Sequence, residues 1–230
     1  MDFQLSDEQR MIQDAVKNIA NEYDKDYWQD VHENRRPPTE LFDDLAEGGW
    51  FGASLPEEYG GQGLGLLDTA LILEALCEAH AWEATFRFTM STVFGGITIT
   101  ENGTEEQKER YLPEIADGEV VWALGMTEPD AGLNSSQIST TAEKDGNGYV
   151  INGRKQWISG MDFADHLLLI ARTAPLSEVD KKFDGMTMFI VDPEAEGIEY
   201  SEIPLDIYYP EPTYDLFIDD LRVDEDQVLG

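Results

Sequence analysis

The sequence predicts an α+β fold, with an N-terminal all-α domain followed by an antiparallel β-barrel or β-sandwich domain. In the first half of the chain, apolar residues recur at helical spacing and two capping boxes begin helices. In the second half, short apolar segments alternate with turn-forming residues, which is typical of antiparallel strands. This change of period predicts a boundary near Gly118, with an α-helical domain over residues 1–118 and a β-domain over residues 119–230.

Caps and apolar spacing predict the helices of the first domain. Ser6 with Gln9 and Thr104 with Gln107 form capping boxes, in which the hydroxyl accepts from the backbone N–H three residues later. Cys77 is the sole cysteine, so no intrachain disulfide can form, and its apolar helical surroundings predict a core position. The predicted helices cover Met11–Ala20, Thr39–Ala46, Leu67–Ala79, Ala84–Thr100 and a segment from Thr104 that ends near Pro113.

Short apolar segments predict the strands of the second domain. Asp145–Gly148 has the sequence Asp-Gly-Asn-Gly, which favours a tight hairpin between its flanking segments. Residues 148–155 do not predict a phosphate-binding loop, because the middle of that segment has strand character and no Lys-Ser/Thr ending follows. The predicted strands cover Val120–Thr127, Ser139–Lys144, Tyr149–Asn152, Lys155–Ser159, His166–Arg172, Met186–Val191, Ile198–Glu202 and Tyr214–Ile218.

The acidic composition limits the classes of partner. The chain has 15 Lys+Arg and 48 Asp+Glu residues, which gives a formal net charge of −33 at pH 7. A surface of this sign repels nucleic-acid phosphates and anionic lipid heads, so we expect neither nucleic-acid binding nor a membrane-surface role. A strongly solvated surface is one interpretation. Adaptation to molar salt is the sharper hypothesis, because a short Debye length screens the self-repulsion.

Other sequence features predict a cytoplasmic protein without a bound metal. The N-terminus is acidic and lacks the apolar region of a signal peptide, and the apolar segments are too short to span a bilayer. His32, His80 and His166 are scattered, and no pair of them has the spacing of metal ligands.

Two segments of the predicted β-domain are candidates for ligand binding. Leu124–Asn134 leaves a buried strand and enters a loop, where backbone N–H groups and the Thr127 hydroxyl can bind a phosphate or an electron-rich ring. Strand alternation places Trp157 and Ser159 on one face, and an indole beside a hydroxyl suits a flat heteroaromatic ligand. An ordinary strand-end turn and a core tryptophan are the alternatives, and the residue types alone leave both open.

A series of motifs, in this order and at this spacing, resembles the acyl-CoA dehydrogenase family over essentially the whole chain. The most specific of them is Met126–Gly132, in which Met-Thr-Glu-Pro is followed by Ala-Gly and is similar to the family's signature. The other similar segments are Leu5–Arg10, Leu55–Gly61, Gly103–Lys108, Tyr111–Pro113, Ile151–Gly153, Trp157–Ser159, Met188–Asp192 and Asp220–Val223.

The resemblance implies a fold, a cofactor and an activity. The chain would comprise the N-terminal helical and middle β-domains, and a C-terminal four-helix bundle would begin where this sequence ends. The implied chemistry is FAD-dependent α,β-dehydrogenation of an acyl-CoA thioester, with electrons passing to an electron-transferring flavoprotein. Thr127 would hydrogen-bond the flavin, Trp157 would pack on its rings and Ser159 would lie near its reactive nitrogen. The implied cofactor-binding residues are Leu124, Gly125, Met126, Thr127, Trp157, Ile158 and Ser159.

The sequence departs from the family pattern at several positions. The family's catalytic glutamate lies in the C-terminal bundle, so no catalytic residue is assigned, and Glu128 is not taken as a substitute base. Leu133 stands where the family has a serine that helps to hold the thioester, which makes it the candidate substrate-binding residue. Asp130 replaces a usual glycine, and aspartate tolerates a left-handed turn better than most residues do. Arg87–Met90 is bulky where the acyl tail would run, and the family's Gly-x-Arg-x-Ser segment is missing from the region of Ile207–Pro212.

These departures leave two functional hypotheses and a non-functional alternative. The chain is the N-terminal and middle portion of an acyl-CoA dehydrogenase that a missing helical domain completes, or a non-catalytic subunit that keeps a flavin or acyl-CoA cleft or only an interaction surface. A non-functional gene remnant is the third alternative. The surface that would meet the bundle should be apolar, so we expect a homo-oligomer or a partner chain that supplies the helical domain.

Overall fold

The computed structural model describes residues 4–205 and 211–230, which fall into two compact units. The first unit is helical and extends to Val120, and the second begins at Val121 and contains the strands. The predicted order of a helical domain followed by a β-domain is therefore confirmed. The helices of the first unit are α1 (Asp7–Ala20), α2 (Lys25–Asn34), α3 (Thr39–Glu47), α4 (Leu66–Glu78), α5 (Trp82–Phe88), α6 (Thr98–Asn102) and α7 (Glu105–Ala116).

Both predicted capping boxes form. Ser6 accepts from the backbone N–H of Gln9 at 3.1 Å, and the Gln9 side chain accepts from the Ser6 N–H at 3.0 Å. Thr104 and Gln107 exchange the same pair of bonds at 3.2 and 3.0 Å at the start of α7. Each box satisfies two of the backbone N–H groups that a helix N-terminus leaves without an intrahelical partner.

Helix α2 lies outside the helices predicted from the sequence. Its apolar stripe is narrow and its buried residues are Trp28 and Val31. The Asp24 carboxylate caps the helix by accepting from the N–H groups of Asp26 at 3.0 Å and Tyr27 at 3.1 Å. Local capping and two buried side chains thus form a helix that apolar periodicity does not predict.

Helices α5 and α6 belong to one continuous helical run, as the prediction over Ala84–Thr100 implies. The π-helical stretch Thr89–Ile97 joins the two helices. The side chains of Arg87 and Phe88 both make contacts inside the helical unit. Phe88 is fully buried in the helical core, and Arg87 donates to the Gly118 carbonyl at 2.6 Å and stacks 4.7 Å from the Phe42 ring centroid.

Two predictions within the helical unit are wrong. Helix α7 continues through Pro113 to Ala116, because Ile115 and Ala116 are buried and the Pro113 carbonyl accepts from the Asp117 N–H at 2.9 Å. Cys77 is exposed, not buried. The buried stripe of α4 is formed by positions 69, 71, 72, 75 and 76, so Cys77 lies outside it.

The described strands of the second unit form one seven-stranded sheet. Its order is β1-β4-β2-β3-β7-β6, and β5 pairs with β4. The strands are β1 (Trp122–Gly125), β2 (Thr141–Asp145), β3 (Gly148–Ser159), β4 (His166–Arg172), β5 (Met186–Val191), β6 (Ile198–Glu202) and β7 (Thr213–Asp224). The core residues of this unit are Ala123, Ala142, Ile151, Ile158, Met161, Leu167, Leu169, Ala171, Phe189, Val191, Tyr214, Leu216, Ile218, Leu221 and Val223.

The sheet is mixed, whereas the sequence predicts purely antiparallel pairing. Strand β1 runs parallel to β4, and β2 makes a single parallel pairing with the end of β4. The predicted hairpin at Asp145–Gly148 joins β2 and β3 with Asp145 opposite Gly148. Two predicted strands, Tyr149–Asn152 and Lys155–Ser159, are one strand, because a register shift next to Gly153 bends β3 without ending it.

The Ile207–Pro210 part of the proline-rich segment lies outside the described residues. None of the helices in residues 4–205 and 211–230 has the length and apolar character that crossing a lipid bilayer requires.

Candidate functional site

The segment after β1 lies directly beside the middle of β3. The backbone N–H of Gln156 donates to the Thr127 carbonyl at 2.9 Å. The Lys155 ammonium donates to the Met126 carbonyl at 3.2 Å. These two bonds bring the predicted segments Leu124–Thr127 and Trp157–Ser159 together in one region of the sheet.

A buried ion pair lies under this junction. Lys155 is fully buried, and its Nζ lies 2.9 Å from Oε1 of Glu128, which is 5% exposed. Glu128 also accepts from the Ser139 N–H at 2.6 Å, the Ser139 hydroxyl at 2.8 Å and the Thr140 N–H at 2.9 Å. The carboxylate therefore joins the exit of β1 to the residues that precede β2, and it has a structural function in this chain.

The environment of Glu128 keeps its carboxylate ionised. Burial acts to raise the pKa of this group, but the Lys155 charge and the hydrogen bonds from residues 139 and 140 outweigh it, and the pKa falls to about 2. Sequence reasoning missed Lys155 altogether. Lys155 begins a predicted strand between the polar residues Arg154 and Gln156, so no local signal marked it as buried.

Because the folded pKa of Glu128 lies below the usual value of 4.5, we expect acid to remove part of the stability. The ionised carboxylate stabilises the folded state above pH 4.5, and that contribution, about 3 kcal/mol, is lost as the pH falls towards about 2. Urea unfolding between pH 6 and pH ~2.5 should show a smaller loss of stability in Glu128→Gln than in the wild type. The exposed Glu178→Gln variant is the control, and an identical pH dependence in all three proteins would contradict the assignment.

Trp157 adopts a backbone conformation that is rare for a residue with a side chain. Its φ is +63°, and the pairing of β3 with β7 shifts register between Lys155 and Ile158. The simple alternation that predicted Trp157 and Ser159 on one face is therefore interrupted. The shift leaves the indole 52% exposed, so the alternative of a core tryptophan is wrong. Strained conformations of this kind persist where the surrounding structure holds them, often at binding sites.

The remaining predicted cofactor residues differ in what they can offer a ligand. Leu124 and Met126 are half-buried, as is Ser159, whose hydroxyl lies 3.4 Å from that of Thr213. Gly125 is buried against Leu167 and Leu169, and Ile158 is 1% exposed in the core, so each can contribute only backbone atoms.

Leu133 lies in an exposed loop that follows a tight turn. Glu128 and Ala131 exchange backbone hydrogen bonds at 3.1 Å across Pro129 and Asp130. Asp130 is not among the described residues with positive φ, so this turn does not use the tolerance of aspartate for a left-handed conformation. A type I turn with proline at its second position needs no left-handed residue after it. The Leu133 side chain is fully exposed, at 109% of its reference area.

Family comparison identifies both units. Residues 6–119 match the family described as the N-terminal domain of acyl-CoA dehydrogenase, and residues 123–221 match its middle domain. Acyl-CoA dehydrogenase FadE12 of Mycobacterium tuberculosis (strain ATCC 25618 / H37Rv) is 35% identical over 225 residues. This similarity covers 98% of the chain but 57% of FadE12. The chain therefore spans somewhat more than half the length of this relative.

Solved structures with similar folds include ligand complexes. A glutaryl-coenzyme A dehydrogenase in complex with glutaryl-CoA has a TM-score of 0.89 at 31% sequence identity. The match covers 100% of this chain and 58% of the chain of that structure. The FAD complex of PigA has a TM-score of 0.90 at 28% sequence identity. The match covers 100% of this chain and 60% of the PigA chain.

Proposed function

The chain belongs to the acyl-CoA dehydrogenase family, and from this premise we propose that it forms the FAD-binding part of an enzyme that α,β-dehydrogenates an acyl-CoA thioester. The observation that carries the proposal is the junction of Met126–Thr127 with Lys155–Gln156, which places an exposed indole next to the exit of β1. The family signature at Met126–Gly132 supports the same conclusion.

The residues at this junction fit a flavin. The Trp157 indole offers a broad exposed aromatic face, and no hydrogen bond of the Thr127 hydroxyl is found within residues 4–205 and 211–230. A flat heteroaromatic ring with polar edges matches such a surface. Thr127, Trp157 and Ser159 would hold the ring, together with Leu124, Met126 and the backbone of Gly125 and Ile158.

The chain's own residues bind and orient, and the cofactor supplies the redox chemistry. Bound FAD would supply the redox chemistry as the acceptor of a hydride from the acyl β-carbon, and an electron-transferring flavoprotein is the proposed acceptor of the electrons. Lys155 and Glu128 keep the backbone of Met126 and Thr127 in place, so the binding surface exists before the ligand arrives. Leu133 is the proposed contact to the thioester.

No catalytic base is proposed on this chain. Glu128 is already an ion-pair partner and has three further donors around its oxygens, so it has no role in removing the α-proton. The base and the remaining half of the site are proposed to come from helical sequence on a partner chain or from sequence beyond these residues. A non-catalytic flavin- or acyl-CoA-binding subunit is the alternative.

The proposal predicts that the chain binds FAD through Trp157. We expect the fluorescence of FAD to be quenched on titration with the protein in molar KCl, and Trp157→Ala to weaken binding about tenfold through loss of ring stacking. Phe217→Ala is the matched control, because Phe217 is an aromatic residue of the same sheet that is 41% exposed. Quenched fluorescence and the visible absorption of the flavin report the affinity.

Each result has a definite meaning for this proposal. Equal loss of affinity in Trp157→Ala and Phe217→Ala would place the flavin elsewhere. A folded wild-type protein that binds no FAD would contradict the flavin site in this chain. Flavin binding with acyl-CoA affinity, but without anaerobic bleaching even when the helical segment proposed to carry the base is present, would favour the non-catalytic subunit.

A further inference from the structure

Arg172 is a buried cation whose four side-chain hydrogen bonds all run to backbone carbonyl groups. The residue is 5% exposed, and no ion pair found among the described residues includes it. Burying a cation is costly unless its donors are occupied. The Nε atom donates to the Ile138 carbonyl at 2.9 Å, and Nη1 donates to the Asp184 carbonyl at 3.3 Å. The Nη2 atom donates to two carbonyls, that of Ser136 at 2.7 Å and that of Lys182 at 2.8 Å.

These four carbonyls belong to two different connections. Ser136 and Ile138 precede β2, whereas Lys182 and Asp184 lie between β4 and β5. The backbone of Arg172 is itself fixed, because its N–H donates to the Thr140 carbonyl at 2.8 Å at the end of β4. A planar guanidinium has five N–H donors in a fixed fork and can meet these four acceptors in two connections, whereas an ammonium has only three donors.

The segment before β2 is held by charges of opposite sign. Arg172 binds the carbonyls of Ser136 and Ile138, and Glu128 binds the N–H groups of Ser139 and Thr140. Residues 136–140 are thus fixed on both their donor and their acceptor groups by side chains that are almost fully buried.

The neighbouring loop is exposed around Leu133, whereas Ile138 at its end packs in a buried cluster with Ala131 and Ile170. Leu133 is fully exposed, and a Cβ added at Gly132 would meet no atom within 4 Å. The position of Leu133 therefore depends on the anchors at either end of its loop, which are the Glu128–Ala131 turn and the segment that Arg172 binds and Ile138 packs.

We propose that Arg172 is a positioning residue for the loop of residues 132–138 and sets the place at which Leu133 meets the acyl thioester. The identity of that ligand rests on the proposed function. The anchoring of the loop rests only on the contacts of Arg172.

Amide hydrogen exchange of the full chain in molar KCl tests the anchoring. In Arg172→Lys we expect the peptides covering residues 132–138 and 181–185 to exchange about tenfold faster, with β3 and β7 unchanged. Arg222→Lys is the control, because the Arg222 side chain is 73% exposed and pairs with Asp145 on the surface of the same sheet. In Arg172→Ala, millimolar guanidinium should restore protection of the loop, and methylammonium should not.

Unchanged exchange in the two loops of Arg172→Lys would overturn the proposal. Equal acceleration throughout the β-unit would also overturn it, since Arg172 would then support the unit as a whole. If Arg172→Ala does not fold, Arg172→Lys decides the question alone.

Ligand titration tests the second half of the inference. Butyryl-CoA should bind Arg172→Lys more weakly than the wild type, with the affinity for FAD unchanged, and equal butyryl-CoA affinities would overturn the link to the thioester. A wild-type chain that binds neither FAD nor butyryl-CoA would contradict the proposed function and the identification of the ligand as an acyl thioester. The exchange pattern would still decide whether Arg172 anchors the loop.

Discussion

Replacing Glu128 by glutamine should lower the free energy of unfolding by about 3–5 kcal/mol, because the change leaves a buried lysine without its counter-charge. The glutamine amide oxygen can still accept from the Lys155 ammonium, as the Met126 carbonyl does at 3.2 Å, but neither acceptor is charged. The amide NH2 would also face the Ser139 and Thr140 donors that the carboxylate accepts from. Removing the Lys155 cation instead should lower the free energy of unfolding by less than Glu128→Gln does. In Lys155→Met the Glu128 carboxylate keeps the Ser139 and Thr140 donors.

The double variant separates the cost of a lone charge from the contribution of the pair. Glu128→Gln with Lys155→Met should regain most of the lost stability, because no buried charge remains at this position. Arg154, the residue before Lys155, provides a matched comparison. It forms an ion pair of 3.0 Å with Asp215, but the two side chains are 44% and 20% exposed. We expect the coupling energy of that surface pair to be less than about 1 kcal/mol.

Denaturant unfolding of the single and double variants measures both coupling energies. The expected order is a large coupling for Glu128–Lys155 and a small one for Arg154–Asp215. Coupling of the same size for the two pairs would mean that burial does not determine the contribution of the Glu128–Lys155 pair. The measurements belong in molar KCl, where exposed pairs are screened and buried pairs much less so.

The order of the elements is predictable from sequence because it depends on short-range signals. The capping box at Ser6 and the Asp-Gly-Asn-Gly hairpin at Asp145–Gly148 act within four residues, and both form as predicted. Helix α2 shows the limit of this reasoning, since its stability comes from Trp28 and Val31 meeting side chains that are distant in sequence.

The site is less predictable because it depends on exceptions to regular geometry. Regular alternation along β3 would determine the face of the sheet on which Trp157 lies. The register shift after Lys155 and the positive φ of Trp157 interrupt that alternation. Lys155 and Glu128 are far apart in sequence, and only the parallel pairing of β1 with β4 and the hairpin of β2 with β3 bring their strands together. A mixed sheet of this kind gives no short-range signal.

Arg172 is hidden from sequence analysis for the same reason. It is the last residue of a predicted strand, and its partners are backbone carbonyls whose positions depend on two connections. A residue type cannot indicate contacts to backbone atoms. The resemblance to a family identified the ligand-binding segments, but the structure was needed to find the buried charges that support them.

Dilution of salt should destabilise this chain more than any single substitution on its surface. The net charge of −33 is carried by 230 residues, and few lysines or arginines separate the carboxylates. The Debye length grows from about 3 Å at 1 M salt to about 10 Å at 0.1 M, so repulsion between neighbouring acidic side chains reaches further as salt is removed. A loss of about 5 kcal/mol between these conditions would lower the thermal midpoint by about 10–20 °C.

Thermal unfolding followed by circular dichroism in a KCl series tests this expectation, with sorbitol at matched osmolality as the control. Sorbitol is excluded from protein surfaces but carries no charge, so it cannot screen carboxylates. A midpoint that falls as KCl is removed and is not restored by sorbitol identifies screening as the cause. A midpoint that is constant from molar to low salt would contradict the hypothesis of salt adaptation. The acidic side chains would then be well solvated, and the stabilisation from packing in the two cores would outweigh the repulsion between them.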